Sequence, residues 1–168
     1  NREPHYGGHY NPMDGDRKTT LCRGLAKSVR KCLQKGDGIM DDVLQAVIAM
    51  AQAATNIRIF TGSNPSAESI AMTGSGAPAA IYRDMDASVT MSIVCNGKSS
   101  NQKTIIDALD DIHAALTLRK DFPSGPNWQV YAIQTIASPR LIGREENNSN
   151  QWIYGSSLLV KIYAKGMT

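Results

Sequence analysis

The 168-residue chain is poor in cysteine, with only Cys22, Cys32 and Cys95. An odd, sparse set argues against a disulfide framework and for reduced, buried thiols, so redox chemistry is not suggested. No stretch approaches the ~18 apolar residues of a membrane helix, and the opening NREPHYGGHY has neither the apolar core nor the cleavage site of a secretory signal. The expectation is a soluble protein that is not exported and has no membrane partner. What is present, 42% hydrophobic residues, suits one globular core. A chain of this size buries roughly 70% of the surface exposed when unfolded.

A complete catalytic pattern is also missing. The stretch SIVCNGKSSNQKT places Gly97, Lys98 and Ser99 between a strand and a helix and imitates the end of a phosphate-binding loop, but Ser92 stands where the pattern needs glycine. A polar strand-to-helix turn is the better reading. Asp107, Asp110 and Asp111 fall on the outer side of a helix, as a solvated acidic face would. His113, read as a surface or boundary residue, has no nucleophile in a recognisable context. His5, His9, Cys22 and Cys32 lack the tight cysteine spacing of a zinc module. No catalytic residue, metal ligand or cofactor site is expected, and the weight moves from enzymes to binding or assembly.

The net charge of +3 is unevenly placed: residues 1–39 carry +4 and residues 40–168 carry −1. Residues 1–19 read as an irregular arm rich in Gly, Pro, Asn and Asp. Leu21, Cys22, Leu25, Val29, Cys32 and Leu33 then recur at helical spacing, which predicts an amphipathic helix from Leu21 to Lys35 with a basic outer face. Residues 1–39 are therefore expected to be a basic extension, and residues 40–168 the compact domain. A basic segment suits contact with nucleic acid or an acidic protein surface, but is more often a solvated helix face.

Within the domain, MDDVLQAVIAMAQAA predicts a helix burying Val43, Leu44, Val47, Ile48 and Ala51, with Asp41 and Asp42 favoured near its positive end. IRIFTG (Ile57 to Gly62) reads as a short strand, and SNPSAESIAMTGSGAP (Ser63 to Pro78) as a long polar loop. DASVTMSIVCNG alternates, with Val89, Met91, Ile93 and Cys95 on one face and Ser88, Thr90, Ser92 and Asn96 on the other. Asn101 suits the cap of a helix over 102–120, whose core stripe is Ile105, Leu109, Ile112 and Leu116 and whose end is suited by Arg119 and Lys120. Two runs dense in β-formers, Trp128 to Gly143 and Gln151 to Gly166, close the chain. Their order gives an α+β fold, a mainly antiparallel sheet with helices packed on one face and a long C-terminal β-hairpin.

That hairpin raises a question of size. Strands of ~14 residues reach ~45 Å, against a domain diameter near ~40 Å, so the hairpin either spans the domain or projects from it. Its tip, Arg144 to Asn150, is wholly polar. With the turn centred near Ser149, Gly143 falls opposite Gly155 and lets the ladder bend, while Pro139 marks an edge, a bulge or a corner. The reading is a core pair of strands continuing into a bent, polar-tipped arm; an ordinary hairpin with a solvated loop is the plainer alternative.

From Met40 to Gly166 the pattern resembles the minor capsid or tail terminator proteins of long-tailed bacteriophages and related prophages. The resemblance rests on MDDVLQAVIAMAQAA, IRIFTG, DASVTMSIVCNGKSSNQKTIIDALDDI and the closing strands with PRLIGRE before the final hairpin. It implies a homo-hexameric ring that caps the tail tube, stops its growth and joins the head-completion (neck) proteins, with DNA only as a passing cargo. Assembly in the bacterial cytoplasm and residence at the tail end of the virion go with it. Another head–tail connector or tail tube component, or a basic-armed nucleic-acid-binding module, is the alternative. On this reading Arg140, Arg144, Glu145, Glu146, Asn147, Asn148, Trp152 and Tyr154 of the hairpin, with Asn64 and Ser75 of the loop Ser63 to Pro78, make the axial or lateral contacts. Asp107, Asp110 and Asp111, or Glu145 and Glu146, would line the channel and keep DNA from sticking.

Overall fold

The computed structural model describes residues 38–65, 67–84, 86–145 and 150–165. Residues 1–37 of the segment expected to be a basic extension (1–39), including the predicted helix from Leu21 to Lys35 and His5, His9, Cys22 and Cys32, lie outside the described residues. A helix over 38–52 (α1) comes first. It is followed by β1 (Ile59–Thr61), β2 (Ser69–Ile81), β3 (Ala87–Ser99), α2 (Gln102–Thr117), β4 (Trp128–Arg144) and β5 (Trp152–Ala164). The five strands form one sheet in the order β1-β2-β3-β5-β4. β1 and β2 run parallel, and every other neighbouring pair is antiparallel. The fold is the expected α+β arrangement with its long C-terminal hairpin.

Both helices lie on one face of this sheet, and the register shows why. Ile70, Met72, Gly74 and Gly76 of β2 stand opposite Gly97, Cys95, Ile93 and Met91 of β3. Those β3 residues face Tyr154, Ser156, Leu158 and Val160 of β5. Onto this face α1 packs Val43, Leu44, Val47 and Ala51, and α2 packs Ile105, Leu109, Ile112 and Leu116, all buried. Each of these Val, Leu and Ile side chains taken from water contributes ~1.5–3 kcal/mol, and the core sits between the sheet and the helix layer. Ile48 of α1 is half-buried, at the flank of the stripe.

The segment expected to be a loop, Ser63 to Pro78, is mostly strand: β2 begins at Ser69 and runs to Ile81. Small residues are required there by the helix above. A Cβ on Gly76 would stand 2.7 Å from the Met40 side chain, and one on Gly74 would stand 3.1 Å from Met91 Sδ and 3.3 Å from Leu44 Cδ1. The glycines that weaken the strand signal let α1 lie close on β2. The chain reaches β2 from β1 through a short loop, in which Gly62 takes a φ of 93°.

Gly97, Lys98 and Ser99, read as a turn, are the last residues of β3; Gly97 and Lys98 are paired on both sides and Ser99 with β5. Gly97 is another close approach, since a Cβ there would lie 2.5 Å from Ile105 Cδ1. α2 is capped by Asn101, whose side chain accepts from the Lys103 amide, and it ends at Thr117, so Arg119 and Lys120 stand beyond it. His113 is not a surface residue: it is 6% exposed, on the side of α2 that meets the sheet.

The hairpin spans the domain. β3 pairs with β5 along its whole length, as far as Ser99 opposite Trp152, and Arg144 of β4 stands opposite the same Trp152, so the paired strands of the hairpin end level with β3. Gly143 stands opposite Ile153 and Gly155 opposite Arg140, so the two glycines do not face each other. Four register shifts along β4, one of them between Ala137 and Arg140 around Pro139, account for the offset. Pro139 sits on an edge strand beside a bulge, where a missing donor is tolerated.

Candidate assembly surface

The edges of the sheet are unequal to its middle. Among the described residues, β1 covers the outer edge of β2 only opposite Ile70, Ala71 and Met72. There Ile70 N–H donates to Arg58 and Gly62 N–H donates to Met72. Backbone groups of alternate residues point the same way, so those of Gly74, Gly76 and Pro78 face the open side. Pro78 has no N–H to lose there. On the opposite side of the sheet, the start of β4 is covered in the same manner. Val130 N–H donates to the Pro123 carbonyl, and Gly125 N–H to that of Trp128. Beyond Val130 no described strand lies outside β4.

Among the described residues two stretches are therefore open, residues 73–81 of β2 and 131–144 of β4. They are diagonal to one another, because the covered part of β2 is level with the end of β3 and the covered part of β4 is level with its beginning. The β4 stretch also carries apolar side chains into solvent: Ile136 is 56% exposed, Leu141 51% and Ile142 60%. An unpaired edge with exposed apolar side chains is a template for pairing with another chain.

The hairpin tip is tied down at its base. Lys98 Nζ meets Glu145 Oε2 at 2.8 Å, with the lysine side chain 7% and the carboxylate 34% exposed. The Glu145 amide donates to the Gln151 carbonyl at 2.7 Å. The Arg144 guanidinium stands 4.7 Å over the Trp152 ring, a cation–π contact. Beside them, Ser99 donates to the Glu68 carboxylate. Asn64 Nδ2 donates to the Asn96 carbonyl at 3.0 Å. Asn150, with a φ of 50°, takes the left-handed conformation that asparagine tolerates better than most residues as the chain re-enters β5.

These positions sort the residues expected at interfaces. Arg140, Arg144 and Glu145 gather at the hairpin end with half-buried Trp152. Ser75 is exposed on the helix-free face, and Asn64 is half-buried beside β3. Tyr154 belongs to the core, since the even-numbered residues of β5 face the helices, and it is not available to a neighbour. Glu146, Asn147 and Asn148 lie outside the described residues. Asp107, Asp110 and Asp111 are exposed on α2, on the far side of the helix layer from the sheet. Asp107 and Asp111 line a shallow groove of about 270 Å³ with Thr104, Ala108 and the loop through Asn56 and Ile57. The segment Ser63 to Pro78 was expected at a contact as a loop; that its second half is an open strand edge is what sequence reasoning missed, and the alternation Ile70, Met72, Gly74, Gly76 was the only signal of it.

Titratable groups elsewhere are structural. Burial pushes the Cys95 thiol up to about 12, with the nearby Ser156 hydroxyl opposing the shift. A thiol so protonated is a poor nucleophile. His113 Nδ1 stands 2.8 Å from Thr135 Oγ1. Its Nε2 is buried without a hydrogen-bond partner. Burial lowers its pKa, and the nearby Asp110 opposes the shift. Tyr163 donates to the Asp86 carboxylate, a bond that, with burial and the charges of Asp86 and Asp84, raises its pKa to about 12. It borders an open groove of about 580 Å³ with Tyr82, Arg83 and Asp84. Among the described residues, no three His, Cys, Asp or Glu come together as a metal site. No helix there is long and apolar enough to cross a membrane.

No family model and no curated protein matches the chain in sequence. Among solved structures it is similar to a chain in the virion of a native gene transfer agent (GTA) particle, with a TM-score of 0.53 and 12% identity. The match covers 74% of this chain and 98% of that one. At that identity the two share a fold.

Proposed function

We propose that the chain is a structural virion protein that assembles with copies of itself into a ring, caps the end of a tail tube and joins it to the head-completion proteins. The observation that carries this reading is the pair of open strand edges on a sheet whose fold recurs in a GTA virion. A ring subunit needs two different adhesive surfaces, one for each neighbour, and two unlike open edges supply them. The reading gives the chain no catalytic role; its work is geometry. It stops growth by matching the tube on one side and not matching another copy of the ring on the other.

Negative-stain imaging of the purified chain mixed with tail tube subunits tests this. One ring at a tube end, with tubes that cease to lengthen, is the expected result. Rings that stack on each other into long tubes would make the chain a tube component, and copies that neither close into rings nor bind tube ends would overturn the reading. In the same images, carboxylates Asp107, Asp110 and Asp111 line the channel only if the helix layer faces inward.

A further inference from the structure

We infer that neighbouring copies join edge to edge, the open stretch of β4 (131–144) on one copy adding antiparallel to the open stretch of β2 (73–81) on the next. The inference rests on the self-assembly reading above and names its contact. Strand direction comes first. β2 and β4 run oppositely within one sheet, since β3 is antiparallel to β2 and to β5, and β5 is antiparallel to β4. Rotation about an axis roughly along the strands keeps every copy's strands in the same sense. The β4 edge of one copy therefore meets the β2 edge of the next as an antiparallel pair, the geometry with the better-aligned hydrogen bonds. Rotary symmetry and sheet continuation are thus compatible without turning any copy over.

The diagonal placement of the covers sets the stagger. At equal height Ser75 is level with Gln134, through Ser92 and Leu159. The open stretches then overlap only in part, because β1 covers one edge at the hairpin end and Pro123 to Gly125 cover the other edge at the opposite end. Sliding each copy along the strands by about three residues, roughly 10 Å, brings all of 73–81 against open β4 backbone. A constant slide between neighbours is the shear that a closed sheet requires.

Side chains suit the join. The β2 stretch is TGSGAPAAI, mostly small, whereas β4 offers the exposed Ile136, Leu141 and Ile142. Pro78 and Pro139 each remove one donor and leave the others. The contact is one-way, β4 to β2, so it passes from copy to copy and ends only by closing.

The test is cross-linking of the full chain carrying Cys22→Ser and Cys32→Ser, with Cys95 left buried. Ser75→Cys is combined in turn with Gln134→Cys, Ala137→Cys and Arg140→Cys, which all lie on the helix-free face and sample the slide. A short bifunctional thiol reagent should give a ladder extending beyond dimers in one double variant, at least tenfold above either single variant. A single variant that cross-links to dimers would show like edges pairing and overturn the inference. Multimers by native mass without cross-links in any double variant would overturn the edge pairing and leave the ring standing; a chain that stays monomeric would overturn both.

Discussion

β3 and the far half of β4 are both long strands in the same sheet, yet they live under different constraints. β3 is hydrogen-bonded on both sides and carries α1 and α2 on one face, and its Val89, Met91, Ile93 and Cys95 are buried. β4 beyond Ile133 has, among the described residues, β5 as its one strand partner, holds Ile136, Leu141 and Ile142 in solvent, and is bent by register shifts. Stability is concentrated where strands are covered on every side; the part of a strand that leaves backbone and apolar side chains unused is where a second molecule can gain from both. A substitution in β3 or in the helix over it should therefore cost stability, and one in distal β4 should cost assembly.

The largest expected loss of stability is Leu109→Ala, which opens a cavity over β3 where side-chain burial is complete; ~2–5 kcal/mol should be lost in denaturant unfolding. Gly97→Ala comes next. Its Cβ would meet Ile105 at 2.5 Å, and forcing the side chain aside should cost ~1–3 kcal/mol, visible as a lower midpoint with an unchanged slope. Glu145→Gln leaves Lys98 buried without its counter-charge. Because the carboxylate is 34% exposed and partly screened, about 1–2 kcal/mol is expected, shrinking with added salt.

A pH effect should come from His113. Its pKa is lowered in the fold from an ordinary 6.5, so the unfolded chain takes up the proton first. Stability from this group is full above about pH 6.5 and falls as the pH drops through that value toward the folded pKa. Thermal unfolding at about pH 7.5 and about pH 5.5 should show the loss, and His113→Gln should remove it. The smallest effect on the fold is expected from Ile136→Lys, within ~0.5 kcal/mol of the parent, as for most exposed substitutions. Its native mass should nevertheless fall to that of a monomer. Unfolding of Ile136→Lys, or full assembly of it, would break the contrast between the two regions.

The tip sharpens the same contrast. Removing residues 145–150 takes Glu145 from Lys98, so that deletion disturbs the fold as well as the surface. Removing only 146–149 keeps the ion pair and isolates the effect on assembly.

What the chain displays in its sequence follows from what each element packs against. α2 was legible because one stripe meets the sheet and the rest meets water, and β3 because its two faces differ. α1 was legible for the same reason. β2 was not, since Gly74 and Gly76 answer to the closeness of Met40 and Leu44, contacts far away in sequence that leave only a composition resembling a loop. Lys98 looked like part of a turn because its partner Glu145 is supplied by the hairpin end. His113 looked like a surface residue because the Thr135 beside it belongs to another element. At the candidate surface, the polar tip and Pro139 pointed to the hairpin end of β4. The open edge of β2 depends on where β1 stops, which pairing decides and local sequence does not.

The most direct measurement is the native mass of the purified chain across a range of concentrations. The account predicts discrete closed multimers that vanish in Ile136→Lys while its unfolding midpoint is retained. A parent chain that remains monomeric at every concentration, or multimers unaffected by Ile136→Lys, would contradict it.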